Sequence, residues 1–243
     1  MDAFGEMVDF FSDAANWRGS TGIPNRLAEH LWFSTTSVLA ALIPAIGLGL
    51  YIGHRRRFEF LVTVAGLSRA FPSFGVLAIS FSFALAYGID FSFWPTFAAL
   101  FFLAIPPMLT NAYVGVKAVD PDAIEAAKGM GMTGREVLRR VELPLAAPLI
   151  MAGIRTSVVQ VIATATLAAV VAGGGLGRFI VDGFARQNDG LMLGGAALVA
   201  AMAITAEIVM AGLERLVSPR TTSHPKKVRP FEKAGQVPRT AGL

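Results

Sequence analysis

Five stretches of this 243-residue chain, 32–52, 59–89, 94–116, 149–171 and 191–213, each hold no more than two charged side chains. Each is at least as long as the roughly 20 residues a helix needs to cross the hydrocarbon core of a bilayer. Inside that core no water reaches the backbone, so such a run folds as a helix that satisfies its own N–H and C=O groups. Composition agrees, with 16% charged residues against about 25% in soluble domains. The chain is expected to be an all-α, polytopic membrane protein of one domain with about five transmembrane helices.

The runs differ in detail. Stretch 59–89 is long for one span and contains Pro72, which predicts one tilted or kinked helix, with two half-helices as the alternative. Residues 94–116 carry Pro106-Pro107 at their middle. Before the first span, residues 1–31 are polar to amphipathic. Phe4, Met7, Val8 and Phe11 recur at helical spacing opposite Asp2, Asp9 and Asp13, as in a helix lying at the membrane interface. The N-terminus is acidic where a secretory signal is basic, which predicts no cleaved signal peptide. From Ser218 onward the chain is rich in Pro, Lys and Arg without periodicity, as disordered segments are. The expected organisation is an external segment 1–31, a transmembrane region 32–216 and a basic cytoplasmic tail 217–243.

Charge predicts the orientation. With five spans and an external N-terminus, segments 53–58, 117–148 and 214–243 face inward and hold three, five and seven Lys/Arg. The outward segments hold four: Arg18, Arg26, Arg178 and Arg186. That excess matches the positive-inside rule and places the C-terminus in the cytoplasm. It also accounts for the net charge of +4 without a nucleic-acid partner. The absence of cysteine excludes disulfides and thiolate chemistry.

Residues 120–148 interrupt the apolar pattern with DPDAIEAAKGMGMTGREVLRRVELPLAAP. The segment predicts two short cytoplasmic helices. Asp120 caps the first, Pro121 opens it, and Asp122 lies in its first turn, where the helix dipole favours an acid. Gly129 and Gly131 break it. Thr133 and Glu136 have capping-box spacing for the second helix, which Pro144 and Pro148 are expected to end. Ala123, Ala126, Ala127 and Met130 fall on or near one side of the first helix. Two readings fit: a hairpin resting on lipid headgroups through Arg135, Arg139 and Arg140, or a docking helix for a cytosolic partner.

The spacing Glu125-Ala126-Ala127, three residues, Gly131, nine residues, Val141-Glu142-Leu143-Pro144 resembles the EAA signature of ATP-binding-cassette importer permeases, with valine in place of isoleucine. Pro148 to Thr156, Ile162 to Leu167 and Gly173-Gly-Gly-Leu-Gly177 resemble the subgroup that imports glycine betaine, choline, carnitine and proline betaine. The resemblance covers about residues 27–216. It implies the type I importer permease fold in a bacterial cytoplasmic (inner) membrane, with a second permease subunit, identical or homologous, completing the pathway. It also implies a cytosolic ATPase dimer and an external solute-binding protein. The signature segment would be the coupling helix, seated on the ATPase, with Glu125, Ala126, Ala127, Gly131, Thr133, Leu143 and Pro144 as docking and turn positions. No cofactor is expected on this chain, since it has no G-x-x-x-x-G-K-[ST] phosphate loop and ATP and magnesium belong to the partner.

Ionisable and polar residues within spans are candidates for function. Arg69 either lines the pathway or braces the Pro72 kink. Arg155 and Glu207 lie at similar depth, which suggests an ion pair, with a snorkelling Arg155 as the alternative. Asn111, Thr164 and Thr166 either line a pathway or bond within and between helices. His30, His54 and His224 show no metal spacing and are read as surface or interfacial. Residues 172–177, AGGGLG, lack the strand and lysine of a nucleotide loop and are read as a flexible or close-packed outer turn. Gly194-Gly195-Ala196-Ala197 suits close helix packing. A secondary transporter is disfavoured, because no internal repeat is visible and membrane carboxylates are few. An intramembrane enzyme is disfavoured because no catalytic cluster is present. An amino-acid importer of the methionine type shares the architecture and remains the alternative for the solute.

Overall fold

The computed structural model describes residues 3–67, 73–171 and 173–217, and among these all regular structure is helical. Four helices are long and apolar enough to cross a membrane: α2 (Ile23–Arg55), α5 (Trp94–Lys117), a continuous helix over Gly134–Val171, and α10 (Asp189–Val217). These are four of the five expected crossings. Helix α2 starts at Ile23 rather than near Trp32, because Gly22 caps it, a proline stands in its first turn, and Arg26 pairs with Glu29 at 2.9 Å. The polar first two turns therefore extend the span beyond the apolar run.

The fifth apolar stretch contributes two described helices, α3 (Phe60–Leu67) and α4 (Ser73–Tyr87), both packed along α5. At one end Glu59 meets Lys117 at 2.9 Å, and at the other Leu77 packs with Ala99. The two described helices thus run antiparallel to α5; residues 68–72, where the choice between one kinked helix and two half-helices falls, lie outside the described residues. Arg69 and Pro72 lie outside the described residues, as do His224 and the tail from Ser218.

The core forms where α2, α5 and α8 (Leu143–Thr164) cross. Ala41, Ala45, Ala104, Met108 and Val161 are buried at their meeting point. Gly49 lies against the Leu109 carbonyl, Gly53 against Val116 and Gly153 against Asn111, so backbones approach at small residues. The hydroxyl of Ser157 donates to the Ala104 carbonyl at 2.8 Å, tying α8 to α5 by a bond that lipid cannot compete for.

At the end carrying the glycine-rich turn, α1 (Ala3–Ser12) packs against α10. Its anchor is Phe10, absent from the apolar set expected to face lipid. The Phe10 ring meets Phe179 edge-on at 5.4 Å between centroids and rests on Gly194. Phe4 and Val8 stay exposed. The helix is therefore docked on its own chain, held further by Asn16 and Trp17 donating to the Phe10 and Phe11 carbonyls.

The turn itself is close-packed. A methyl group at Gly174 or Gly177 would overlap the Glu29 carboxylate or the Thr166 carbonyl. The Gly175 N–H donates to Glu29 at 2.7 Å, and the Leu176 N–H donates to His30 Nδ1 at 3.3 Å. His30 Nε2 lies 2.8 Å from the Ile162 carbonyl. Since Nδ1 accepts, Nε2 carries the proton and the ring is neutral. His30 is thus fully buried, where a surface or interfacial histidine was expected. His30→Leu would orphan a buried N–H and a buried C=O, at about 1–3 kcal/mol each. The expected result is a lower thermal midpoint of the detergent-purified protein; an unchanged midpoint would contradict the assignment.

Candidate functional site

The charged segment folds as two helices around a glycine turn. Asp120 Oδ1 accepts the Asp122 N–H at 3.0 Å, and α6 (Pro121–Gly129) begins there. It ends in a Schellman motif: the Gly131 N–H donates to the Lys128 carbonyl at 2.9 Å and the Met132 N–H to the Ala127 carbonyl at 3.2 Å. Gly131 has φ +86°, the left-handed region that a side chain enters at a cost of about 1–2 kcal/mol. The signature glycine is therefore the residue that lets α6 stop. Gly131→Ala is expected to fray the end of α6, read as faster hydrogen exchange of the position-131 and Met132 amides than in the wild type; unchanged protection would contradict this.

Thr133 caps α7 (Gly134–Val137) with a complete capping box: its N–H donates to Glu136 at 2.9 Å and its hydroxyl accepts the Glu136 N–H at 3.4 Å. The Thr133 amide, then its hydroxyl, hold the Glu136 carboxyl below the usual carboxylate range. After α7 the helix does not end. A π-helical turn, Leu138–Glu142, carries it into α8, past Pro144 and Pro148. These prolines were expected to terminate it. The π turn already displaces the i→i−4 ladder, so the missing N–H of Pro144 removes little.

Around this frame the signature residues separate by face. Glu125, Ala126 and Met130 are exposed, whereas Ala127 is turned into its own subunit at 2% exposure. Leu143 and Pro144 are exposed at the start of α8. Glu142, which the signature leaves open (isoleucine, any residue, leucine, proline), is buried, and its Oε2 lies 2.6 Å from His54 Nδ1. His54 is accordingly a paired, half-buried side chain rather than a surface one. At the same end Lys117 donates to Glu59 and holds that carboxyl below its ordinary range.

Within the spans, Arg155 and Glu207 do meet. Arg155 Nε donates to Glu207 at 2.8 Å and Nη2 donates to the same oxygen, while Nη1 reaches Glu214 at 3.0 Å. Glu214, which the sequence reading missed, is two turns beyond Glu207 on the same face of α10. The three side chains line a cleft with Thr156 and Gln160. Asn111 donates to the Pro107 carbonyl at 2.8 Å and Thr166 to the Ala163 carbonyl at 3.1 Å, so both bond within their own helical segments. Thr164 is the last residue of α8 and is half-buried.

Residues 45–223 match the family of binding-protein-dependent transport system inner membrane components. The chain is 37% identical over 204 residues to the glycine betaine/carnitine/choline transport system permease protein OpuCB of Bacillus subtilis, covering 84% of this chain and 92% of that one. It is 37% identical to the choline transport system permease protein OpuBB of the same organism, over 79% and 86% of the two chains. In fold it is similar to a chain of the inward-facing MetNI methionine ABC transporter, with a TM-score of 0.70 at 18% identity over 81% of this chain and 96% of that one. The helical order, the spans and these likenesses together establish that the chain belongs to the binding-protein-dependent transport system inner membrane components, as a multi-pass permease subunit.

Proposed function

We propose that this permease forms half of the pathway of an importer for quaternary-ammonium osmoprotectants of the glycine betaine, choline and carnitine class. The observation that carries the solute class is 37% identity to permeases named for those solutes. The likeness to methionine importers is one of fold alone. A second permease subunit completes the pathway, an external binding protein delivers solute, and a cytosolic ATPase dimer hydrolyses ATP. In this reading the catalytic groups and the nucleotide belong to the ATPase.

Helix α6 is the docking element for the ATPase. Glu125 and Ala126 point away from the subunit, and an exposed alanine lets a partner surface approach closely. Gly131 and Thr133 fix the angle between α6 and α7, and Leu143 and Pro144 lead from it into α8. ATP-driven movement of the ATPase subunits thereby displaces α6 and alternates access to the pathway.

The test is reconstitution of this chain with its ATPase and binding protein in proteoliposomes. ATP-dependent uptake of labelled glycine betaine or choline is expected only with all components present. Uptake by the permease alone along an ion gradient, or preferential uptake of methionine, would overturn the proposal.

A further inference from the structure

Glu142 is the one buried acidic residue among the described residues, at 4% exposure. A carboxylate so placed costs several kcal/mol unless it is paired and bonded. Its partner is His54 in the last turn of α2, 88 residues away in sequence. A carboxylate cannot donate, so His54 Nδ1 carries the proton of this 2.6 Å bond. The other ring nitrogen, Nε2, lies over Gly134, 3.5 Å from where a Cβ would stand there. One imidazole thus joins the end of α2 to the π turn and lies beside the first residue of α7.

The π turn is itself informative. Such turns are rare and cluster at functional sites, because the extra residue reorients side chains at a cost in helix geometry. Here it presents Glu142 to α2. Helix α6 packs chiefly on α7 and on this turn, so a displacement of α6 reaches the spans through the segment that Glu142 closes. At the same end α2 is locked to α5, since Gly53 sits against Val116 and the Tyr113 carbonyl. A cleft of about 590 Å³ between Tyr51, Arg55, Arg135 and Leu138 flanks the pair. Near that cleft the two segments have open space between them, and the histidine–glutamate bond joins them across it.

We infer that His54 and Glu142 are positioning residues that carry the movement of α6 into the first span, acting as a strut between coupling segment and pathway. This rests on the docking role of α6 proposed above. It assigns the unspecified residue of the signature to transmission within the subunit, whereas Glu125 and Ala126 face the partner.

The experiment uses the whole transporter, permease with ATPase and binding protein in proteoliposomes, with ATP hydrolysis and solute uptake measured together. His54→Ala alone leaves a buried carboxylate unpaired and lowers stability. The informative protein is therefore the double variant His54→Ala/Glu142→Gln, which removes the bond and the buried charge together. It is expected to assemble and hydrolyse ATP, with solute moved per ATP falling at least about fivefold, the low end of a typical coupling free energy. His54→Asn, which keeps an N–H donor where Nδ1 stood, is expected to retain a ratio close to that of the wild type. An unchanged ratio in the double variant overturns the inference. Loss of assembly in the double variant overturns it too, since the pair would then hold the fold rather than transmit motion. Failure of the docking role shows itself separately, as normal ATPase association after a bulky replacement of Ala126 with the pair intact.

Discussion

Ala126→Trp is expected to abolish solute uptake while leaving the permease at normal abundance in the membrane. Ala126 is exposed on α6, so an indole there can point into solvent and the helix caps are untouched. The ATPase surface would have to accommodate the added volume, and overpacking of a fitted site costs about 1–3 kcal/mol or more. That is about a 5- to 150-fold loss of association, read as loss of the ATPase in pull-downs with the tagged permease. Glu125→Arg, which reverses a charge on the same face, is expected to act the same way. Ala127 provides the contrast: it is buried within the subunit, so Ala127→Trp is expected to lower the abundance of the permease itself. Normal ATPase association in both the Ala126 and Glu125 variants would refute a docking role for this face.

Arg155→Leu is expected to reduce the membrane abundance of the permease sharply. One guanidinium serves two carboxylates, Glu207 and Glu214, and Glu207 lies inside an apolar run of α10. Removing the cation leaves two uncompensated negative charges in or beside the hydrocarbon, the costly way to break such a group. Removing all charges together is the milder change. The triple variant Arg155→Leu/Glu207→Gln/Glu214→Gln is therefore expected to recover abundance relative to the single one, measured by quantitative immunoblot of membranes. An Arg155→Leu single variant at wild-type abundance would show that the cluster carries no structural weight.

These two sites were not equally legible in the sequence. The charged segment could be read because its signals are local. Asp120, the Thr133–Glu136 pair and Gly131 act on backbone groups a few residues away, and the structure forms each of those bonds. The spans were legible because hydropathy over 20 residues is a local sum. What escaped was long-range. Glu142 pairs with a residue 88 positions away, and nothing in its neighbourhood distinguishes it from a solvent-facing glutamate on a charged helix. His30 escaped for the same reason, since its partners come from α8 and the glycine-rich turn. Glu214 was passed over because it stands at the edge of an apolar run, where a carboxylate needs no explanation until Arg155 is seen to reach it. The prolines misled in the other direction. Pro144 normally ends a helix, and a π turn, which leaves no periodic trace in five residues, allows this one to continue.

The two paired histidines of α2 have a joint consequence. His30 and His54 lie 24 residues apart on α2, about 36 Å along a helix axis, which exceeds the roughly 30 Å of a hydrocarbon core. Near one face of the membrane α2 is pinned to the Ile162 carbonyl and the glycine-rich turn, and near the other to Glu142. A helix riveted to the same neighbour at both ends can neither rotate about its axis nor slide along it independently. Tied at both ends, the two helices would move together, so a push applied at one membrane face would be felt at the other. Bending between access states would then fall on the members left outside that pair, α3 and α4 among them.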